Sequence, residues 1–352
     1  MRQKIKDAVL PLSLLAAMLF LICFPKHTAS AVKESLSLCA ATILPAMFPY
    51  LLFTDLFITS GCADRLARRM QKIMPLLFSV SGAGATPLLI GLVGGYPMGA
   101  KAIADLYAGK RISKDEAEAL SGFCCNAGPG FIIGVLGGTL YRSIPIGLTL
   151  YAIHIVSAIL CGLLTRRPLK ISSHHSNQNH TSLTNAIVHA AESAATVSLK
   201  ITSFIVTFSI LISALKLPFA PDSTPFCILS GLLEISSGCL SLSASTLIWP
   251  IKFALTAGFI SFGGACVLFQ TMSVFSEVSI KIRSYLTGKI LQGLISVVLA
   301  YPFSFLFSPN IEASAFPITL HPTSPFPDFL LPILLLAILL HFSSRNPQHI
   351  RL

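Results

Sequence analysis

Lys101, Asn126, Gln270 and Gln292 are polar side chains set in stretches apolar enough to cross a bilayer, close to glycines or prolines that interrupt a helix. Around Lys101 runs GLVGGYPMGAKAIADLYAGK, residues 91–110. Pro97 has no N–H and disfavours helix before it, so carbonyls near Val93 and Gly94 lose their partners. In lipid such backbone survives only where protein groups or a water-lined cavity satisfy it. A cation at the bilayer centre costs about 3 kcal/mol or more unless it is paired or reaches water. The stretch therefore predicts a broken helix facing a polar cavity, the alternative being a kinked helix with Lys101 snorkelling to an interface.

The chemistry on offer is capture of a small anion. Amide N–H groups at the starts of half-helices after Gly95, Gly128 and Gly263 would carry partial positive charge, and Lys101 would add a full one. Asn126 and Gln292 can donate side-chain N–H bonds, and Tyr96 and Phe262 could stack on an aromatic ring. The expected pocket is lined by Lys101, Asn126, Ser261 and Gln270, and the substrate-binding candidates are these four with Tyr96, Gly99, Gly128, Phe262, Gly263 and Gln292. Glu234, beside a Ser-Ser-Gly interruption, is a candidate proton or cation coupling group; the other reading pairs it with Lys101 or Lys252 for structure alone.

Composition narrows the class. Hydrophobic residues make up 53% of the 352 and charged residues 11%, where a soluble domain would approach a quarter charged. The net charge of +11 lies in short clusters between apolar segments, which marks cytoplasmic loops rather than a nucleic-acid surface. Nine cysteines without a CxxC pair read as small buried thiols, not as a metal or redox centre. There is no HExxH, GxSxG or GxxxxGK[ST] and no carboxylate pair on one apolar face, so neither an enzyme nor a cofactor nor a metal is expected.

The elements follow from hydropathy and charge. Arg2, Lys4 and Lys6 precede an apolar run over 8–24, a retained first helix rather than a cleaved signal, with the N-terminus inside. A span over 35–60 bends at Pro45 and Pro49 and carries Asp55 as an interfacial residue. The basic run 64–72 is cytoplasmic, as are Arg166 and Arg167 after an uninterrupted span over 144–164. An even number of crossings must separate them, so one apolar segment between 74 and 141 enters and returns on the same side. The charged stretch GKRISKDEAEA is a solvated loop or short amphipathic helix, and 121–141 is broken at Asn126, Gly128, Pro129 and Gly130. Residues 171–185 form a polar linker whose His174, His175 and His180 are solvated rather than metal-binding. Apolar segments over 194–215, 226–247 (interrupted at 234–238), 253–275, 291–307 and 330–342 follow, with Lys281, Arg283 and Lys289 as a third basic cluster and 308–327 as an outer loop.

The halves echo each other. Leu120, Ser121, Gly122 and Asn126 align with Leu286, Thr287, Gly288 and Gln292 at an offset of 166, and Gly99-Ala100 with Gly264-Ala265 at 165. The span over 35–60 enters its basic loop from outside whereas 194–215 leaves one toward outside, so the repeats are inverted. The expected fold is an all-α polytopic membrane protein, an inverted-repeat transporter-like bundle with broken and re-entrant helices. Its parts would be an N-terminal anchor (1–34), a first repeat (35–165), a cytoplasmic linker (166–190), a second repeat (191–308), and an outer loop with a last helix (309–352).

GGYPMGAKAIADLYAGKRISKDEA, followed by LSGFCCNAGPGFIIG, resembles the signature of the sporulation integral membrane protein YlbJ/SpoVV family, whose members carry the nucleoside-recognition or gate domain. ILPAMFPYLLFTDLF, GLLEISSGC and GFISFGGACVLFQ are similar to that family's other blocks in the same order, over roughly residues 35–308. Cys125-Asn126 stands where Asn-Asn is more usual. The resemblance implies a gate-type transporter in a bacterial membrane that moves dipicolinate, a small aromatic dicarboxylate, across the outer forespore membrane. A nucleoside-type carrier and a non-transporting sporulation scaffold are the alternatives. Expected partners are the lipid bilayer and a small anionic solute, with a second copy or other sporulation membrane proteins beside it.

Overall fold

The computed structural model describes residues 11, 14, 15, 17–168 and 182–307, and every regular element among them is helical. The expectations for Arg2, Lys4 and Lys6, for His174, His175 and His180, and for the loop and span from 308 onward lie outside the described residues. Among the described residues five helices are long and apolar enough to cross a membrane: Pro25–Thr59, Ile144–Leu164, Thr184–Leu215, Trp249–Glu277 and Arg283–Leu306.

Helix α1 (Pro25–Leu38) runs into α2 (Leu44–Thr59) through a π turn over Cys39–Ile43. The Leu44 N–H reaches back to the Cys39 carbonyl there, and this wider turn absorbs the bond that Pro45 cannot make. The helix thus continues through residues 34 and 35, the boundary placed between anchor and first repeat. Short helices α3 (Cys62–Arg69) and α4 (Ile73–Phe78) follow.

Next, α5 (Ala85–Gly94) and α6 (Met98–Ala108) fold back on each other across Gly95, Tyr96 and Pro97. The fold-back needs a bare backbone: a Cβ on Gly91 would run into the Cys124 carbonyl and sit 3.5 Å from the Gly99 Cα. Helix α7 (Lys114–Cys124) starts with a capping box, in which Ser113 accepts from the Glu116 amide and the Glu116 carboxylate accepts from the Ser113 amide. The charged stretch expected as a solvated loop or short amphipathic helix thus supplies the part-exposed opening of an eleven-residue helix whose second half is buried. After an unwound passage over 125–128, α8 (Gly130–Leu140) continues in π form, and α9 (Ile144–Leu164) is uninterrupted.

In the second half, α10 (Leu183–Leu215) begins inside the stretch expected as linker. Helices α11 (Thr224–Leu233) and α12 (Ile235–Ala244) fold back across Glu234, and a Cβ on Gly238 would strike the Gly231 Cα. Helices α13 (Trp249–Phe262) and α14 (Gly264–Glu277) meet at Gly263, whose φ of 90° only glycine adopts readily. Helix α15 (Arg283–Phe303) is straight apart from its terminal Pro302.

The sequence of hairpin, interrupted helix and straight helix thus occurs twice, but not in the register that local identities suggested. Ala85 and Thr224 open the two hairpins and Ile144 and Arg283 open the two straight helices, each pair 139 residues apart. Residues 166 apart meet for another reason. Helix α7 crosses α15, so Gly122 packs on Gly288 and Gln292 Nε2 donates to Asn126 Oδ1 at 3.0 Å. They are contact partners; Ser157 and Ser296, 139 apart, are the equivalents that share a hydrogen bond, at 2.8 Å.

Two further expectations are corrected. Asp55 is not interfacial: it is 2% exposed and accepts from Lys101 Nζ at 3.2 Å and His189 Nδ1 at 2.8 Å, tying α2 to α6 and α10. Lys289 does not belong to a solvated basic cluster, being wholly buried.

Candidate solute site at the helix breaks

Each interruption frees backbone groups, and the side chains that meet them define the site. Between α7 and α8 the Cys125 carbonyl accepts from Lys289 Nζ at 2.7 Å. Lys289 also donates to Gln292 Oε1 at 2.5 Å and stands 5.3 Å from the centroid of the Tyr96 ring. The Ala127 N–H donates to His154 Nε2 at 3.1 Å, and Asn126 Nδ2 to the Phe123 carbonyl at 2.8 Å.

Because Nε2 of His154 is already an acceptor, its ring proton sits on Nδ1 and is given to Ser261 Oγ at 2.8 Å. Ser261 then donates to Ser296 at 2.6 Å, Ser296 to Ser157, and Ser157 to the His154 carbonyl at 2.8 Å. This closed ring of hydrogen bonds ties α9, α13 and α15 into one block behind the breaks. Satisfied in full, such a buried network holds its members rigidly.

The opening of α12 is handled locally. The Glu234 carboxylate accepts from the Ser236 and Ser237 amides at 2.8 and 2.7 Å and from Ser237 Oγ at 2.8 Å, capping its own helix. It pairs with neither Lys101 nor Lys252: the former holds Asp55 and Ser193, the latter the Ser243 carbonyl at 3.0 Å.

A cavity of about 50 Å³ lies among these pieces. Tyr96 from the first hairpin tip, Ala127 and Gly128 from the unwound passage, Glu234 and Ser236 from the second tip, and Gln270 from α14 bring polar groups to it. Ile43, Met47, Phe131, Ile201, Ile205 and Val267 close the remainder with apolar surface. The Tyr96 hydroxyl is buried without a partner, and a Cβ on Gly263 would lie 3.2 Å from it. Both hairpin tips and both interrupted helices therefore converge on one small space. It has room for a few waters, at about 10–15 Å³ each, and falls short of the ~300 Å³ at which ordinary ligand pockets begin.

Of the residues singled out from sequence, the cavity gathers Tyr96, Gly128, Gln270 and Glu234. Asn126, Ser261 and Gln292 lie in the buried network behind it, while Gly99 packs against the Cys124 carbonyl. Phe262 and Gly263 form the α13–α14 junction. Lys101 is held by Asp55 and does not line the cavity. Sequence reasoning passed over Lys289, His154, Ser157 and Ser296. A lone histidine in the uninterrupted apolar span over 144–164 was a legible signal; Lys289 was masked by its neighbours Lys281 and Arg283.

Sequence comparison places the chain beside a curated protein. It is 25% identical over 316 residues to the sporulation integral membrane protein YlbJ of Bacillus subtilis (strain 168), covering 79% of this chain and 78% of that one. The chain is a distant relative of YlbJ. With five apolar helices of membrane-spanning length among the described residues, it is a multi-pass integral membrane protein. No family model matches the chain, and no solved structure does.

Proposed function

We propose that the protein is a transporter, not an enzyme, and that its solute passes through the cavity ringed by the two hairpin tips and the two interrupted helices. The observation that carries this reading is the convergence of all four interruptions on one buried space. Interrupted helices in repeated halves are the usual architecture of a midplane solute site in secondary transporters. The recurrence at 139 residues, with Ser157 bonded to Ser296, supports two halves related by an axis near those serines, and the loop charges favour an inverted relation. The small cavity volume corresponds to a closed state that widens when the hairpin tips separate.

The solute is a small organic anion, dipicolinate by family resemblance, moved across the outer forespore membrane; the kinship with a sporulation membrane protein supports that setting. Apolar side chains and the Tyr96 ring suit an aromatic body. The amide-rich starts of α8 and α14, the unpartnered Tyr96 hydroxyl and the Gln270 amide suit carboxylate oxygens. Tyr96, Gly128 and Gln270 touch the solute; Asn126, Ser261 and Gln292 hold the wall behind it; Glu234 couples or gates from the second tip. Purified protein in proteoliposomes tests this with labelled dipicolinate and labelled uridine. Dipicolinate flux unaffected by excess uridine is the expected result. Uridine flux would identify a nucleoside-type carrier, and flux of neither would leave a membrane scaffold.

A further inference from the structure

Lys289 is wholly buried, yet among the described residues none of the ion pairs includes it. Its ammonium meets the Cys125 carbonyl at 2.7 Å, the Gln292 amide oxygen at 2.5 Å and the face of Tyr96. Three donors thus meet three electron-rich partners and no negative charge. The Cys125 carbonyl caps the C-terminal end of α7, where the helix dipole is negative. Unwound carbonyls and half-helix C-termini of this kind are where membrane proteins lodge a free monovalent cation. The equivalent position in the other half, 139 residues earlier, is Leu150, also fully buried, so only one of the two related interruptions carries a charge.

We infer that Lys289 is a tethered cation, filling from α15 a monovalent-cation site built by Cys125, Gln292 and Tyr96 at the α7–α8 interruption. Shortening the side chain should then open a site for a small monovalent cation or a primary alkylammonium ion. Such a site adjoins the solute cavity across the Tyr96 ring, and Lys289 itself does not line that cavity. Where the transport reading holds, a corollary rests on it: the wild-type protein draws no sodium at this interruption.

The test uses the full chain in detergent and needs no solute. Lys289→Ala is expected to lower the thermal midpoint by roughly 5 °C or more. Butylammonium should restore at least half of that loss, tetramethylammonium at equal ionic strength should not, and the wild type should respond to neither. Lys289→Met, which keeps the length without the charge, should stay destabilised. If Lys289→Ala can be recovered folded only when butylammonium is present during purification, the inference stands; if amines rescue neither folding nor midpoint, it falls. A Lys289→Met protein as stable as the wild type would also overturn it, because bulk alone would then explain the lysine. In vesicles, flux through the wild type should be equal in sodium and choline buffers, whereas Lys289→Ala should require sodium or the amine. A sodium requirement in the wild type would overturn the corollary, and absence of flux in every protein would count against the transport reading instead.

Discussion

Two carboxylates show how differently one residue type can be used. Glu234 closes the start of α12 by accepting two amides and a hydroxyl. Glu234→Gln keeps one acceptor oxygen and should cost about 1 kcal/mol in thermal unfolding. Asp55 instead binds together three helices through Lys101 and His189. Asp55→Ala should therefore cost about 3 kcal/mol in denaturation, and Lys101→Met should lower stability while leaving the apparent affinity for the solute unchanged. Lys101 looked from sequence like the anion's partner because its position at membrane depth demanded compensation. The sequence could not reveal that Asp55, 46 residues earlier, supplies it, since that pairing exists only once α2 and α6 are packed.

At the scale of elements, the interruptions were legible because glycine and proline act locally: Gly95 and Pro97, Asn126 to Gly130, Glu234 and Gly263 each sit where a helix stops or starts. What they do to direction was less so. The α5–α6 and α11–α12 stretches double back, whereas α13 and α14 run on through their break, and the difference depends on what packs against each. Gly91 and Gly238 lie where backbones touch, so Gly238→Ala should prevent α11 and α12 from closing. The expected outcome is a loss of about 3 kcal/mol or more, or no folded protein, read by thermal unfolding in detergent. The same substitution at Gly134, where the nearest foreign atom to a new Cβ is 3.7 Å away, should be neutral or stabilise by up to about 1 kcal/mol.

Over the whole molecule, the order of hairpin, interrupted helix and straight helix recurs, while α3 and α4 have no counterpart in the second half among the described residues. Similarity of glycine-rich apolar segments drew the sequence alignment to the 166-residue spacing at which residues touch, instead of the 139-residue spacing at which elements recur. The element order recurs at this spacing and Ser157 meets Ser296, while side chains differ elsewhere, as at Leu150 and Lys289. Both charged groups at the breaks, Lys289 behind the α7–α8 interruption and Glu234 at the α11–α12 tip, come from the second of the two halves. The cavity between them is the central claim, and filling it is the direct test. Flux of labelled dipicolinate into proteoliposomes should be abolished by Val267→Phe, which places an aromatic ring in the cavity. Val298→Phe, on the exposed face of α15, should transport as the wild type does, with both variants folded. Equal flux through the filled and unfilled proteins would contradict the account.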